Sequence, residues 1–113
     1  MSRPRIPADE VSISRELFEV LGEDRSTWEW EMVLEMGQVL REDRLAGDCI
    51  EKNKIPRYYR DLYGVNNLYR YQLSGEMRAC YTLQKVEDGI CAIILEVFMD
   101  HKTYERRFGY GGD

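Results

Sequence analysis

Cysteine is scarce in this chain. There are three, Cys49, Cys80 and Cys91, and no C-x-x-C pair. An odd count without paired spacing argues against a disulfide framework and a zinc site, and predicts small apolar fillers in a reduced compartment. Long hydrophobic runs are missing too. The longest is Ile90-Cys91-Ala92-Ile93-Ile94-Leu95, far short of the roughly 20 apolar residues a transmembrane helix needs. The first residues, Met1-Ser2-Arg3-Pro4-Arg5-Ile6-Pro7, hold no apolar stretch of the kind a secretory signal needs, so a cytoplasmic protein is expected. No repeat, low-complexity tract or Pro/Gly/Ser linker divides the sequence. With 113 residues, the expectation is one domain spanning residues 1–113, with residues 1–10 a flexible lead-in. A chain of this length can bury about 65% of its unfolded surface, enough for one core.

Charge is plentiful and unevenly placed. The chain carries 16 basic and 21 acidic residues, a net charge of −5. Residues 1–50 hold 6 basic and 12 acidic side chains, whereas residues 51–113 hold 10 and 9. Between residues 52 and 78, Lys52, Lys54, Arg57, Arg60, Arg70 and Arg78 face only Asp61 and Glu76. A negative whole argues against generic nucleic-acid binding, but such asymmetry permits a polyanion site on one face.

Hydrophobic spacing divides the chain into two halves. Ile13, Leu17, Val20 and Leu21 recur at helical spacing over 12–22, with Gly22 as a stop. Ser26-Thr27-Trp28-Glu29 fits a capping box, and Trp30, Val33, Leu34, Gly37 and Leu40 then form one helical face that should end near Gly47. Trp28, Met32 and Met36 on that helix read as core or edge packing. Residues 49–66 read as an irregular basic connection or a short strand and turn, interrupted by Pro56 and Gly64. From Leu68 the period becomes two. Tyr69, Tyr71 and Leu73 alternate with polar residues, Ser74-Gly75 marks a turn, and Met77, Ala79, Tyr81 and Leu83 alternate again. Asp88-Gly89 favours a hairpin, and the apolar run Ile90–Met99 should be an interior strand buried on both faces. The tail from Asp100 is polar and aromatic. The expected fold class is α+β: an N-terminal helical hairpin packed on a small antiparallel sheet, with a short C-terminal appendage.

Several stretches, taken in order, carry a resemblance. They are Ile55-Pro56-Arg57-Tyr58-Tyr59, Tyr63-Gly64-Val65-Asn66-Asn67-Leu68-Tyr69-Arg70-Tyr71, Arg78-Ala79-Cys80-Tyr81-Thr82-Leu83, Ile94-Leu95-Glu96-Val97, Asp100-His101-Lys102-Thr103-Tyr104 and Phe108-Gly109-Tyr110. Over about residues 45–110 the chain resembles the RelE/ParE-type toxins of type II toxin–antitoxin systems, in particular their archaeal-like branch. The resemblance implies the helical hairpin and sheet already expected, no metal and no organic cofactor. It also implies neutralisation by a small antitoxin. Many members cut mRNA, often on the ribosome; others act on DNA gyrase, and some have no established activity.

RNA cleavage of this type directs the 2′-hydroxyl at the adjacent phosphate. It needs a base for that hydroxyl, cations for the charge developing on phosphorus, and an acid for the leaving 5′-oxygen. DNA lacks the hydroxyl, so the chemistry selects RNA. Arg78 matches the family's strand arginine and would clamp the phosphate with its fork; otherwise it is a solvated strand arginine or a salt-bridge partner. His101, the single histidine, would serve as acid or base; otherwise it caps the strand end or stacks on Tyr104 or Phe108. Lys102 stands where the family often has arginine, and lysine lacks the bidentate fork. Tyr104 and Tyr110 match tyrosines that stack a base or assist proton transfer; the alternative is packing of the tail. Lys52, Lys54, Arg57 and Arg60, interleaved with Tyr58, Tyr59 and Tyr63, form a basic and aromatic track suited to RNA, or else a solvated loop. Arg70 joins the RNA-binding set, or pairs with an acidic helix residue. The function expected is a toxin-like, metal-independent mRNA endonuclease. The alternatives are a non-catalytic module acting on a protein such as gyrase, an inactive relative, or an unrelated α+β domain, with a homodimer as a further possible assembly. The acidic total departs from the strongly basic balance typical of ribosome-directed members.

Overall fold

A computed structural model describes residues 3–109. The first ordered element is a strand, β1 (Glu10–Ile13), followed by α1 (Arg15–Leu21) and α2 (Trp28–Glu42). A two-residue strand, β2 (Asp48–Cys49), and a single 3-10 turn at Lys52–Lys54 lead into α3 (Arg57–Tyr63). Then come β3 (Tyr69–Gln72), β4 (Arg78–Val86), β5 (Gly89–Phe98) and α4 (His101–Phe108). The sheet order is β1-β5-β4-β3-β2. β1 runs parallel to β5, and every other pair is antiparallel.

The expected helical hairpin on an antiparallel sheet is therefore corrected. The sheet is mixed, five-stranded and begins at residue 10. Ile13, counted above as helical, lies in β1 opposite Ile94. Ser14 makes the switch: its hydroxyl accepts from the Leu17 backbone N–H, so the helix cannot start before Arg15. α1 then packs on β5 and α2 on β1. A short apolar run of this kind fits either period, and sheet pairing with β5 decides it. The second helix is capped by Thr27, whose side chain accepts from the Trp30 N–H. Ser26, the expected cap, instead donates to Asp24. The helix stops at Glu42 rather than near Gly47.

The sheet is covered on both faces. On one, Leu17 of α1 and Val33, Met36 and Leu40 of α2 close over Ala79, Tyr81, Ala92 and Ile94. On the other, Ile55, Tyr59 of α3, Leu68 and Tyr104 of α4 close over Cys80, Leu95 and Phe98. β5 is thus interior and buried on both sides, as its continuous apolar run predicts. α3 and α4 replace the irregular connection and polar tail read from sequence. The signals were present but subdued. Asp100 accepts from the Thr103 N–H as an N-cap, and Gly109 ends α4 at φ 68, in the left-handed region that glycine adopts without steric penalty.

Residues 3–9 lie along α2 and β5. The Ala8 N–H donates to the Leu40 carbonyl, and Asp9 accepts from the Ile90 N–H. Arg3 pairs with Asp43 at 2.7 Å and also donates to the Leu45 carbonyl. Gly47 enters the sheet under a tight constraint. A β-carbon there would stand 2.5 Å from the Arg70 carbonyl oxygen and 2.9 Å from the Tyr81 ring.

The long β4–β5 ladder contains one irregularity. Between Cys80 and Tyr81 the register slips: Cys80 faces Glu96, while Tyr81 faces Ile94. Leu95 is the extra residue of a bulge. Strict alternation from Ile94 would turn Glu96 toward α2. The bulge turns it instead toward α3 and α4, on the same side as Leu95.

Candidate nucleic-acid interface

The sheet face opposite α2 carries an open cleft of about 680 Å³ between the 3-10 turn, α3, β3 and α4. Its cations are Lys54, Arg57, Arg70, Arg106 and Arg107; its aromatics are Tyr58, Tyr104 and Phe108. No Asp or Glu among the described residues lines it. Several of the cations have a carboxylate beside them. Glu51 pairs with Lys54 at 3.3 Å, Asp61 with Arg57 at 3.5 Å, and Asp48 with Arg70 at 3.7 Å. These side chains are largely exposed, so water screens the pairs and a phosphate can compete for each cation.

Arg107 is held differently. Its Nε donates to Glu96 Oε1 at 3.0 Å and its Nη2 to Oε2 at 3.1 Å. Its guanidinium carbon lies 3.5 Å from the centre of the Tyr58 ring. The Tyr59 hydroxyl donates to the same Glu96 Oε1 at 2.6 Å. Burial, with Cys80 and Glu96 nearby, drives the Tyr59 ionisation far upward, so this tyrosine stays a neutral donor. Burial likewise pushes the Cys80 thiol up to about 12. Cys80 and Cys91 are buried thiols, in keeping with the filler role read from sequence, whereas Cys49 is exposed.

The residues singled out from sequence divide into two groups. Lys54, Arg57, Arg70 and Tyr104 meet in the cleft. Lys52 lies in the adjoining turn, where its carbonyl accepts from the Arg60 guanidinium, which fastens the turn to α3. Tyr104 is a packed side chain, 3% exposed, stacked on Phe108 with a 4.6 Å centroid distance and edge-on to Phe98. Its hydroxyl accepts from Arg70 Nη1 at 3.3 Å, so it fixes the direction of that arginine. Arg70 also reaches Asp48, the acidic partner coming from β2 rather than from a helix.

Arg78, His101 and Lys102 do not line the cleft. Arg78 opens β4 opposite Phe98, and its guanidinium donates to the Gly75 and Met77 carbonyls. His101 begins α4, three residues past Phe98, half exposed, with Nε2 2.7 Å from Glu105. Its ring centroid lies 6.2 Å from that of Tyr104. Lys102 is exposed on the same helical turn. All three stand at the end of the sheet where β4 starts and β5 finishes, next to the cleft rather than within it. Tyr110 lies outside the described residues. Arg106 and Arg107 were missed by the sequence reading. The capping pattern from Asp100 to Thr103 would have revealed a helix, and on a helix Tyr104, Arg107 and Phe108 share one face.

Among the described residues no group of three or more His, Cys, Asp or Glu side chains could hold a metal ion, and no helix is long and apolar enough to cross a membrane. Comparison with protein-family models, curated proteins and solved structures finds no match to this chain.

Proposed function

We propose that the chain binds single-stranded RNA in the cleft between α3, β3 and α4, and cuts it as a toxin-like endonuclease without a metal. The observation that carries this reading is the lining: among the described residues, five cations lie with Tyr58 and Phe108 around one open channel, and no Asp or Glu lines it. Cations meet phosphates and rings stack on unpaired bases, a combination suited to single strands. Arg78, His101 and Lys102, at the adjoining end of the sheet, supply the groups the cut requires. Arg78 and Lys102 steady the phosphate, and His101, paired with Glu105, exchanges the proton. A base takes the 2′-hydroxyl proton, the 2′-oxygen bonds to phosphorus, and the phosphorus–5′-oxygen bond breaks as that oxygen is protonated. The products are a 2′,3′-cyclic phosphate and a 5′-hydroxyl. A cytoplasmic setting, an mRNA substrate free or on the ribosome, and a small antitoxin belong to this reading.

The test uses a fluorescent unstructured oligoribonucleotide and its deoxy counterpart. Wild-type protein is expected to bind the RNA at low salt and release a cyclic-phosphate product. Arg57→Ala with Arg70→Ala should weaken binding by tenfold or more, while His101→Ala should abolish cleavage and leave binding within about twofold. Absence of RNA binding overturns the reading. Binding with no cut RNA, in buffer or in a translation extract, leaves the inactive relative.

A further inference from the structure

We propose that Arg107 is a phosphate fork in this cleft and that Glu96 and Tyr59 are its positioning residues. This rests on the reading of the cleft as a polyanion site and adds a contact the sequence did not disclose. A guanidinium offers five N–H bonds. Glu96 takes one from Nε and one from Nη2, which leaves two on Nη1 and one on Nη2. Among the described residues no other hydrogen bond is made by them. The unused pair on Nη1 and Nη2 forms the outer edge of the plane, the geometry that matches two phosphate oxygens. One face of the plane lies on Tyr58 at 3.5 Å. The inner edge is locked to a carboxylate that Tyr59 holds in turn. Rotation of the side chain is thus blocked from two directions, and the cost of ordering the fork is met before any ligand arrives. The bulge at Leu95 is what delivers Glu96 to this side of the sheet. A bulge that re-aims one carboxylate beside a cleft is a functional placement rather than a packing accident.

The two roles open to Glu96 have opposite signs. If Glu96 only neutralised Arg107, removing its charge would strengthen the attraction for RNA. If it positions Arg107, the same change weakens binding. The test records the arginine Nε–H resonance of Arg107 while three probes are added separately: an unstructured hexaribonucleotide, the same sequence as DNA, and inorganic pyrophosphate. Each is expected to shift that resonance, since a fork reads phosphate and not sugar. Arg107→Lys keeps the charge and loses the planar fork, and should weaken RNA binding about tenfold. Glu96→Gln keeps a hydrogen-bond acceptor and should weaken it several-fold, with thermal unfolding close to wild type. The proposal is overturned if no probe moves the Arg107 resonance, if Arg107→Lys binds within twofold of wild type, or if Glu96→Gln binds more tightly. A resonance that answers pyrophosphate but not RNA retires the RNA reading and keeps the fork.

Discussion

Ser14 shows how much a single side chain can decide. It is 6% exposed and takes part in three contacts that matter. Its N–H donates to the Ile94 carbonyl, its hydroxyl accepts from the Leu17 N–H, and the same hydroxyl donates to the Leu95 carbonyl at 2.9 Å. One residue thus closes the parallel strand, opens α1 and satisfies a carbonyl at the bulge. Ser14→Ala removes a cap and leaves a buried carbonyl short of a donor, so it should cost about 2 kcal/mol. Urea titration measures this directly, with an unchanged slope; a loss below about 0.5 kcal/mol would show that water reaches the site. Residue-level reading of the sequence did best where chemistry was local. Arg70 joined the RNA-binding set with pairing to an acidic residue as its alternative, whereas Lys54 and Arg57 were read as part of a basic track because tyrosines are interleaved with them. Arg107 was missed, because its role comes from Tyr58 and Glu96, and neither lies within ten positions of it.

Elements are held by clasps as well as by core. The end of α2 is fixed by Asp43, its C-terminal cap residue, which accepts from two guanidinium nitrogens of Arg3 at 3.0 and 2.7 Å. The Arg3 hydrogen bonds hold the Asp43 carboxyl down at about 2, from an ordinary 3.8. A carboxyl pKa lowered on folding adds stability that is complete above the unfolded value and disappears as pH falls through the folded one. The clasp should therefore contribute fully above about pH 4 and nothing below about pH 2. Asp43→Asn should be less stable than wild type at pH 6, with the gap narrowing at pH 3 and closing near pH 2. Denaturant midpoints at those three pH values check it, and a gap that ignores pH would mean the charge on Asp43 is irrelevant. β3, β4 and β5 were legible from alternation, the apolar run and the Asp88-Gly89 signal, and the turn falls at Glu87 and Asp88 with Val86 paired to Gly89. α3 and α4 were less so. Each is seven or eight residues long, too short for periodicity to separate it from a loop, and each is stabilised by burying Tyr59 or Tyr104 against the sheet.

For the whole molecule, the sheet separates the charges. α2, with Glu29, Glu31, Glu35 and Glu42, covers one face, while the cationic cleft lies on the other. A protein of net charge −5 can thus offer a positive channel, because at physiological salt a charge is felt over only about 8 Å. Binding of single-stranded RNA should weaken with salt. Five cations each meeting one phosphate would give a logarithmic slope of about −3.5. Because four of them already have carboxylate partners, the slope should be shallower than that, yet clearly below zero. Affinity measured from 50 to 300 mM salt tests this, and salt-independent binding would mean that no phosphates are contacted. By itself the sequence determined the half-by-half charge division, the buried interior strand and its hairpin, since each is written in neighbouring residues. Only the tertiary structure decided that β1 joins β5 in parallel, that a bulge turns Glu96 toward α4, and that Arg107 meets Tyr58. Those outcomes depend on pairings between distant segments, whose energies emerge only when both partners are buried together.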